Sequence, residues 1–211
     1  MYSFIKQELQ KSGELITNMI SNEVLLQTAE DIAKCCVSSL KNGGKILFAG
    51  NGGSAADSQH LAAELVCRLS YKRPAIAAMA LTTDTSALTA IANDYSFEYL
   101  FARQVEGLGR EGDIFIGIST SGQSSNILKA LEAARTKGLI PIGLTGQSAP
   151  RMAERCEFVL NIPSRETPKI QEGHIIFGHI ICALVEDALH GADYNPARQV
   201  TLRGSVALFE T

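Results

Sequence analysis

The chain has 211 residues, of which 45% are hydrophobic and 19% charged, and its formal net charge is -3 at pH 7. This length and composition suit one domain with a sizeable core. Because no basic footprint is present, nucleic acid and anionic membrane surfaces are poor candidates for partners. We expect neither a secretory signal nor an apolar run long enough to span a bilayer, and the default location is cytoplasmic.

Apolar periodicity predicts two helices before the first strand. The first covers residues 2–20, and the second runs from about Glu23 to Leu40 with Asn22 as its N-cap. A minimal sheet domain does not need both of these helices. One of their faces could therefore pack against another subunit.

Strands and helices alternate along the rest of the chain. The predicted strands are 46–49, 75–81, 113–118, 139–144 and 158–162, and the predicted helices are 54–69, 83–92, 97–108, 125–137 and 169–189. Apolar strands separated by helices predict a parallel sheet covered on both faces, a doubly wound α/β sandwich of three layers. Residues 191–211 show no clear period and are interpreted as a tail, which leaves residues 1–190 as a single domain.

The five cysteines are Cys35, Cys36, Cys67, Cys156 and Cys182. Their number is odd, no pair has CxxC spacing, and each lies among apolar residues. Buried, reduced side chains are the favoured interpretation, and we expect neither a disulfide nor a cysteine metal site.

Two turns rich in glycine and serine follow predicted strands. The glycine turn is Asn51–Ser54, after the first strand, and the serine turn is Ser119–Ser124, after the third. Parallel sheets bind ligands at the carboxyl ends of their strands, and hydroxyl groups with free amides at a helix start can hold a phosphate. An ordinary capped turn is the alternative. Neither turn is a Walker loop or a GxGxxG motif, so a dinucleotide is not the leading ligand.

Two predicted helices carry residues suited to acid–base chemistry or metal binding. His60 and Glu64 are four apart and share one helix face, which suits a metal site or an acid–base pair but also fits a solvated surface. The last helix offers Gln171, Glu172, His174 and His179. Helical geometry favours Glu172 beside His179 and offsets Gln171 from that line, but spacing leaves the choice open.

Four separated segments together resemble the phosphoheptose isomerase family, which has the sugar isomerase (SIS) fold: GNGGSAADSQHLAAEL, LTTDTSALTAIANDY, GISTSGQSSNILKAL and IQEGHIIFGH. The resemblance covers roughly residues 2–190. It implies a five-stranded, flavodoxin-like sheet, a homotetramer with active sites near subunit interfaces, and one zinc ion per subunit. The implied reaction converts sedoheptulose 7-phosphate to D-glycero-D-manno-heptose 7-phosphate, towards the ADP-heptose of bacterial lipopolysaccharide.

The resemblance also implies roles for individual residues. The implied zinc ligands are His60, Glu64, Gln171 and His179, so here it selects Gln171 over Glu172. The implied substrate contacts are Asn51, Gly52, Gly53, Glu64, Asn93, Asp94, Ser119, Thr120, Ser121, Ser124 and Gln171. Aldose–ketose isomerisation through an enediol needs a base and an acid. Glu64 is the candidate base and His179 the candidate acid.

Two features depart from the family pattern. Pro168-Lys169 stands where many relatives have Ala-Arg, which could alter how the last helix approaches the substrate. The tail is longer than expected and could modify the oligomer.

Two other functions remain open at this point. One is a non-catalytic SIS protein that binds a sugar phosphate or the bacterial replication initiator. Such a binder would not need Glu64 and His179 together. The other is an isomerase of the same chemistry that supplies capsule or secondary-metabolite heptoses.

Overall fold

A computed structural model describes residues 1–194 and has the predicted α/β architecture. The strands are β1 (Ile46–Gly50), β2 (Ala78–Ala80), β3 (Ile114–Ile118), β4 (Ile140–Thr145) and β5 (Phe158–Asn161). The helices are α1 (Tyr2–Ile20), α2 (Glu23–Lys41), α3 (Gly53–Val66), α4 (Thr85–Asp94), α5 (Ala102–Leu108), α6 (Ser125–Thr136), α7 (Pro150–Ala153) and α8 (Thr167–Tyr194), with a 3₁₀ turn at Phe97–Tyr99.

All five strands are parallel and lie in the order β2-β1-β3-β4-β5. Successive strand residues point to opposite faces, and both faces are buried. Ile46 and Phe48 pack with α1, α2, α3 and α8, whereas Leu47 and Ala49 pack with α5 and α6 on the other face. The predicted three-layer sandwich is therefore confirmed.

The strand order places a topological switch point between β1 and β3. After β1 the chain moves outward to β2, and it then returns to the other side of β1 to form β3. Gly50 at the end of β1 pairs in register with Ile118 at the end of β3. The glycine turn and the serine turn are therefore neighbours in the crevice where open α/β sheets bind ligands.

Helices α1 and α2 begin and end close to the predicted positions. The side-chain oxygen of Asn22 accepts a hydrogen bond from the Leu25 amide at 3.1 Å, so the predicted N-cap is confirmed. Leu15 and Met19 are the buried residues of α1. The rest of its apolar stripe is between 43% and 68% exposed: Phe4, Ile5, Leu9, Ile16 and Ile20.

Several predicted boundaries were wrong. Strand β2 is shorter than predicted because it lies at the sheet edge and bonds only to β1. The helix predicted over residues 97–108 divides into the 3₁₀ turn and α5, and the one-turn helix α7 was missed because four residues carry no periodic signal. Cys67, expected to be buried, is exposed.

The last helix is longer than predicted. Helix α8 reaches Tyr194 and so includes the first residues of the expected tail, whereas residues 195–211 lie outside the described residues. By length and composition alone, Thr167–Ala192 could cross a membrane, with a mean hydropathy of 1.5, contrary to our expectation. The core helix of a folded domain passes the same test, and α8 packs on α2 and α3 with Phe177, Ile181 and Val185 buried.

Candidate active site

His60, Glu64 and His179 converge where α3 packs against α8, and we call them the histidine cluster. His60 Nε2 lies 3.2 Å from Glu64 Oε1 and 2.8 Å from His179 Nε2. The first contact follows from i, i+4 geometry within α3. The second joins residues that are 119 positions apart, so it depends on the packing of the two helices.

A glycine permits the close approach of these helices. Gly178 precedes His179, and a Cβ at position 178 would lie 2.6 Å from Leu61 Cδ2, the residue after His60. Leu61 is itself only 2% exposed and has little room to move. The contact between Gly178 and Leu61 therefore lies directly beside the histidine cluster.

The donor atoms of the cluster suit a divalent cation. One ligand atom each from His60, Glu64 and His179 lies within 4.8 Å of the others. Imidazole nitrogens and a carboxylate oxygen are ordinary zinc ligands. Gln171, the fourth implied ligand, places its carboxamide against Gly53, where a Cβ would collide with it. Gln171 thus joins α8 to the glycine turn.

Glu172, which helical geometry alone favoured, is engaged elsewhere. Its carboxylate lies 2.8 Å from Lys169 Nζ, and Lys169 also donates to Ser12 Oγ in α1 at 2.8 Å. Burial tends to raise the pKa of Glu172, but hydrogen bonds with Lys169 and Ser12 hold that pKa below its ordinary value. The geometric preference for Glu172 beside His179 was therefore wrong.

The departure at Pro168-Lys169 does not break α8. Pro168 lies in the first turn of the helix, where a missing amide leaves no hydrogen bond unmade. Lys169 is 7% exposed and joins α8 to α1 through Ser12. This pair of residues therefore supports the start of the helix that carries Gln171 and His179.

The serine turn is organised differently from an ordinary capped turn. Ser124 is the N-cap of α6, yet its side chain makes no capping hydrogen bond, and its Oγ instead lies 2.9 Å from Ser119 Oγ. Gly122 has φ +63°, a conformation that favours glycine, and its amide donates to the Ser119 carbonyl at 3.0 Å. The hydroxyl groups and the start of α6 together can bind a phosphate.

An unpredicted residue fastens the two turns to each other. Asn51 in the glycine turn and Asn126 in α6 exchange side-chain hydrogen bonds, at 2.9 Å and 2.8 Å. Asn126 is 1% exposed. The carboxamide of Asn51, an implied substrate contact, is thus already paired. Sequence patterns give no signal for this tertiary pair.

The other implied substrate contacts are more dispersed. The Thr120 carbonyl accepts a hydrogen bond from the Gly146 amide at 3.1 Å, which ties the serine turn to the end of β4. Asn93 and Asp94 are exposed at the end of α4, and the side-chain Nδ2 of Asn93 donates to Asp94 Oδ1 at 2.7 Å. Gly52 and Gly53 are exposed at the start of α3, and Ser121 is exposed in the serine turn.

Asp57 is a second residue that sequence reasoning missed. It lies one turn before His60 on α3, and its Oδ2 is buried without a hydrogen-bond partner in the described part of the chain. Burial raises the pKa of Asp57, while the charges of His60 and His179 oppose that shift. Its i, i+3 spacing from His60 was the signal that could have identified it.

Comparison with known proteins identifies the family. A family model described as "SIS domain" matches residues 9–146. Phosphoheptose isomerase from Aneurinibacillus thermoaerophilus is 53% identical over 189 residues, which cover 90% of this chain and 96% of that protein. The chain belongs to the phosphoheptose isomerase family of SIS-domain proteins.

Further relatives agree with this assignment. Phosphoheptose isomerase from Burkholderia pseudomallei strain K96243 is 50% identical, with the same coverage of 90% and 96%. The structure of phosphoheptose isomerase GmhA from Neisseria gonorrhoeae superposes with a TM-score of 0.82 at 40% identity, over 88% of this chain and 98% of that one. A phosphoheptose isomerase from Francisella tularensis gives a TM-score of 0.84 at 35% identity, again over 88% and 98%. The family resemblance stated from the four segments is confirmed.

Proposed function

We propose that this protein isomerises sedoheptulose 7-phosphate to D-glycero-D-manno-heptose 7-phosphate. The observation that carries the proposal is the convergence of Glu64 and His179 through His60, in a chain 53% identical to a phosphoheptose isomerase. A protein that only binds a sugar phosphate needs no such acid–base pair. The isomerase is therefore favoured over a non-catalytic SIS protein.

The chain's own side chains supply the proton transfers. The serine turn holds the phosphate and thereby positions the carbonyl end of the sugar. Glu64 takes a proton from C1 while His179 supplies one to the oxygen on C2, which gives the enediol. A proton is then returned to C2 as the C1 hydroxyl loses its own, and the ketose has become an aldose.

A zinc ion, one per subunit, is part of the proposal. His60, Glu64, Gln171 and His179 would hold it, and the 4.8 Å grouping of the three clustered donors supports this choice. When bound, zinc acts as a Lewis acid that polarises the carbonyl and stabilises developing negative charge. Glu64 is assigned both as ligand and as base, so metal binding and turnover must be measured separately.

The decisive experiment follows sedoheptulose 7-phosphate by NMR or a coupled assay, with zinc supplied. We expect turnover by the wild-type protein and its loss in Glu64→Gln and His179→Gln. Glu172→Gln is the matched control, because Glu172 lies on α8 but pairs with Lys169. Wild-type protein without turnover would support the non-catalytic binder, and full activity in either cluster variant would refute the assigned roles.

We also propose a homotetramer. The exposed apolar side chains of α1, including Phe4, Leu9 and Ile20, support contact with another subunit. Light scattering coupled to size-exclusion chromatography tests this, and we expect Leu9→Glu to shift the mass towards a smaller species. A wild-type monomer at micromolar concentration would contradict the proposal. With the family resemblance we further propose a cytoplasmic location and a role in supplying ADP-heptose for lipopolysaccharide.

A further inference from the structure

Arg73 binds the carboxyl-terminal end of the helix that carries His60 and Glu64. Its side chain is 2% exposed. Nη2 donates to the Glu64 carbonyl at 2.9 Å, and Nη1 donates to the Leu65 carbonyl at 2.6 Å. These carbonyls belong to the last turn of α3, where the helix itself offers no amide partner and the helix dipole favours a cation. The Arg73 side chain therefore holds the end of α3 through the backbone carbonyls of that helix.

Glu186 connects the same guanidinium to α8. Its side chain is 1% exposed, and its Oε1 accepts a hydrogen bond from Arg73 Nε at 3.0 Å. The carboxylate also accepts from the amides of Leu69 and Ser70, at 3.0 Å and 2.8 Å. Glu186 lies seven residues after His179, about two turns along the same helix face. The pair thus bridges the helices that contribute the two halves of the histidine cluster.

The spacing of α3 and α8 decides whether the cluster exists. Within α3, His60 and Glu64 keep their contact whatever α8 does, but His179 reaches His60 only through helix packing. Near the cluster, the helices meet through Leu61 and Gly178. This contact can resist closer approach, and Cys182 Sγ in α8 donates a weak hydrogen bond to the Leu61 carbonyl at 3.9 Å. The directional, charge-assisted hydrogen bonds of Arg73 and Glu186 resist sliding along the helix axis more strongly than these contacts do.

We propose that the Arg73–Glu186 pair is a positioning clasp that holds Glu64 and His179 in register for isomerisation and metal binding. The inference rests on the proposed function. Neither residue touches the cluster side chains through the hydrogen bonds described, so the clasp acts through the backbone of α3 and the axis of α8. Loosening it should misplace the donor atoms while leaving the phosphate-binding turns intact.

The test compares Arg73→Lys and Glu186→Gln with Asp113→Asn. Lysine keeps the charge but not the fork that reaches the Glu186 carboxylate and the two α3 carbonyls together. Asp113 is the matched control: its side chain is 3% exposed, and it accepts hydrogen bonds from the amides of Lys45 and Arg110 as well as from the Lys45 ammonium. It therefore resembles Glu186 in burial and bonding, but its partners lie outside α3 and α8.

The measurements are zinc affinity by competition with a chromophoric chelator, kcat and KM for sedoheptulose 7-phosphate, and melting temperature. All assays are run well below the lowest melting temperature. We expect the clasp variants to lose roughly 10- to 100-fold in zinc affinity and in kcat, with KM changed much less. Asp113→Asn should lower the melting temperature yet keep the zinc affinity and kcat of the wild type.

The outcomes separate this inference from the proposed function. Clasp variants with wild-type zinc affinity and kcat, or a control that loses as much as they do, would overturn the clasp. Should Glu186→Gln fail to fold, Arg73→Lys decides alone. Wild-type protein that turns over substrate but retains no divalent ion would refute the metal proposal, and the kcat comparison would then decide the clasp. Wild-type protein without turnover or metal would refute the proposed function and, with it, the clasp's stated role.

Discussion

The serine turn and the histidine cluster belong to one candidate site but are built in different ways. The serine turn comes from six consecutive residues, Ser119–Ser124, whose geometry depends on Gly122 and on the start of α6. The histidine cluster joins two helices, and its shortest contact links His60 to His179 across 119 positions. The serine turn is therefore formed mainly by adjacent residues and is held to β4 by backbone hydrogen bonds, whereas the histidine cluster depends on the packing of two distant helices.

This difference has consequences for how each region should respond to change. A backbone turn at the end of β3 keeps its amides in place when one side chain is shortened, so binding should weaken in steps. The histidine cluster has no backbone groups that could take over in this way. Each of its side chains contributes one of the few donor atoms, so the loss of one side chain removes that donor altogether. We therefore expect the cluster to control kcat and the turn to control KM.

Removal of the metal should have the largest effect. If the cluster holds zinc, prolonged treatment with a strong chelator should lower kcat by more than about 100-fold, because Lewis-acid stabilisation is worth several kcal/mol. The chelated protein should also melt at a lower temperature, since a ligand bound only to the folded state stabilises it. Activity and melting temperature are measured before chelation, after it, and after zinc is added back.

A matched variant makes the chelation result specific. His60→Gln should show a low melting temperature that zinc no longer raises, whereas Glu172→Gln should respond to zinc as the wild type does. If the chelated wild-type protein keeps full activity, the histidine cluster acts without a metal. The proposed dependence of kcat on a bound metal would then be wrong.

Removing a hydroxyl group from the serine turn should have the next largest effect on activity. Ser119→Ala and Ser124→Ala each remove one member of the hydroxyl pair that lies 2.9 Å apart. A hydrogen bond to a charged group contributes about 1.5–3 kcal/mol, so KM should rise roughly 10- to 100-fold while kcat changes little. Steady-state kinetics and competitive inhibition by inorganic phosphate both report this loss. A fall in kcat at unchanged KM would contradict the division of labour between turn and cluster.

The same division explains what the sequence could predict. Local patterns were enough for the parallel strands, the Asn22 cap, both turns and the His60–Glu64 spacing, because periodicity and turn residues act over a few positions. They also suggested Glu172 beside His179, which was wrong because Lys169 competes for that carboxylate. A helical projection cannot account for a neighbouring cation that captures the side chain.

Tertiary partners lay beyond that reasoning. Asn51 and Asn126 are 75 positions apart, and Arg73 and Glu186 are 113 positions apart. Each of these residues, considered alone, fits a turn or a charged surface. Only the fold brings them together and buries the side chains of Asn126, Arg73 and Glu186, and burial makes their pairing necessary, since an unpaired buried polar group is costly.

Removing the side-chain hydrogen bonds that join the two turns should have a smaller effect on activity. Asn51→Ala and Asn126→Ala each leave the partner carboxamide without its hydrogen bonds, which should lower the free energy of unfolding by about 1–3 kcal/mol. KM should rise several-fold, because the turns would no longer hold a fixed separation. Urea titration and kinetics measure the two effects. The double variant is the control. If its loss in the free energy of unfolding equals the sum of the two single losses, the two side chains are not coupled.

The smallest effect on activity at neutral pH should come from His174, which links the two regions. It lies on α8 between Gln171 and His179 and is 1% exposed. Within residues 1–194, neither ring nitrogen makes a hydrogen bond, although the Thr145 backbone lies near enough to oppose the pKa shift. Burial lowers the pKa of His174 to about 4, from an ordinary 6.5.

The sign of the resulting pH dependence is fixed by that shift. Between pH 6.5 and about 4 the unfolded chain binds a proton that the folded protein does not, so stability is present above pH 6.5 and is lost as the pH falls through this window. His174 alone would cost up to roughly 3 kcal/mol at the lower end. His174→Leu should flatten this part of the profile, as measured by urea titration from pH 7 to pH 4.

A local readout connects His174 to the comparison of the two regions. The Thr145 backbone favours the protonated His174 ring, so protonation of that ring acts at this end of β4. The next residue, Gly146, donates to the Thr120 carbonyl in the serine turn at 3.1 Å. As the pH is lowered from 6.5 to about 4, the affinity for inorganic phosphate should therefore decrease more steeply in the wild type than in His174→Leu. If phosphate affinity has the same pH dependence in both proteins, protonation of His174 is not transmitted through β4 to the serine turn. The geometry of the serine turn would then depend on its own residues.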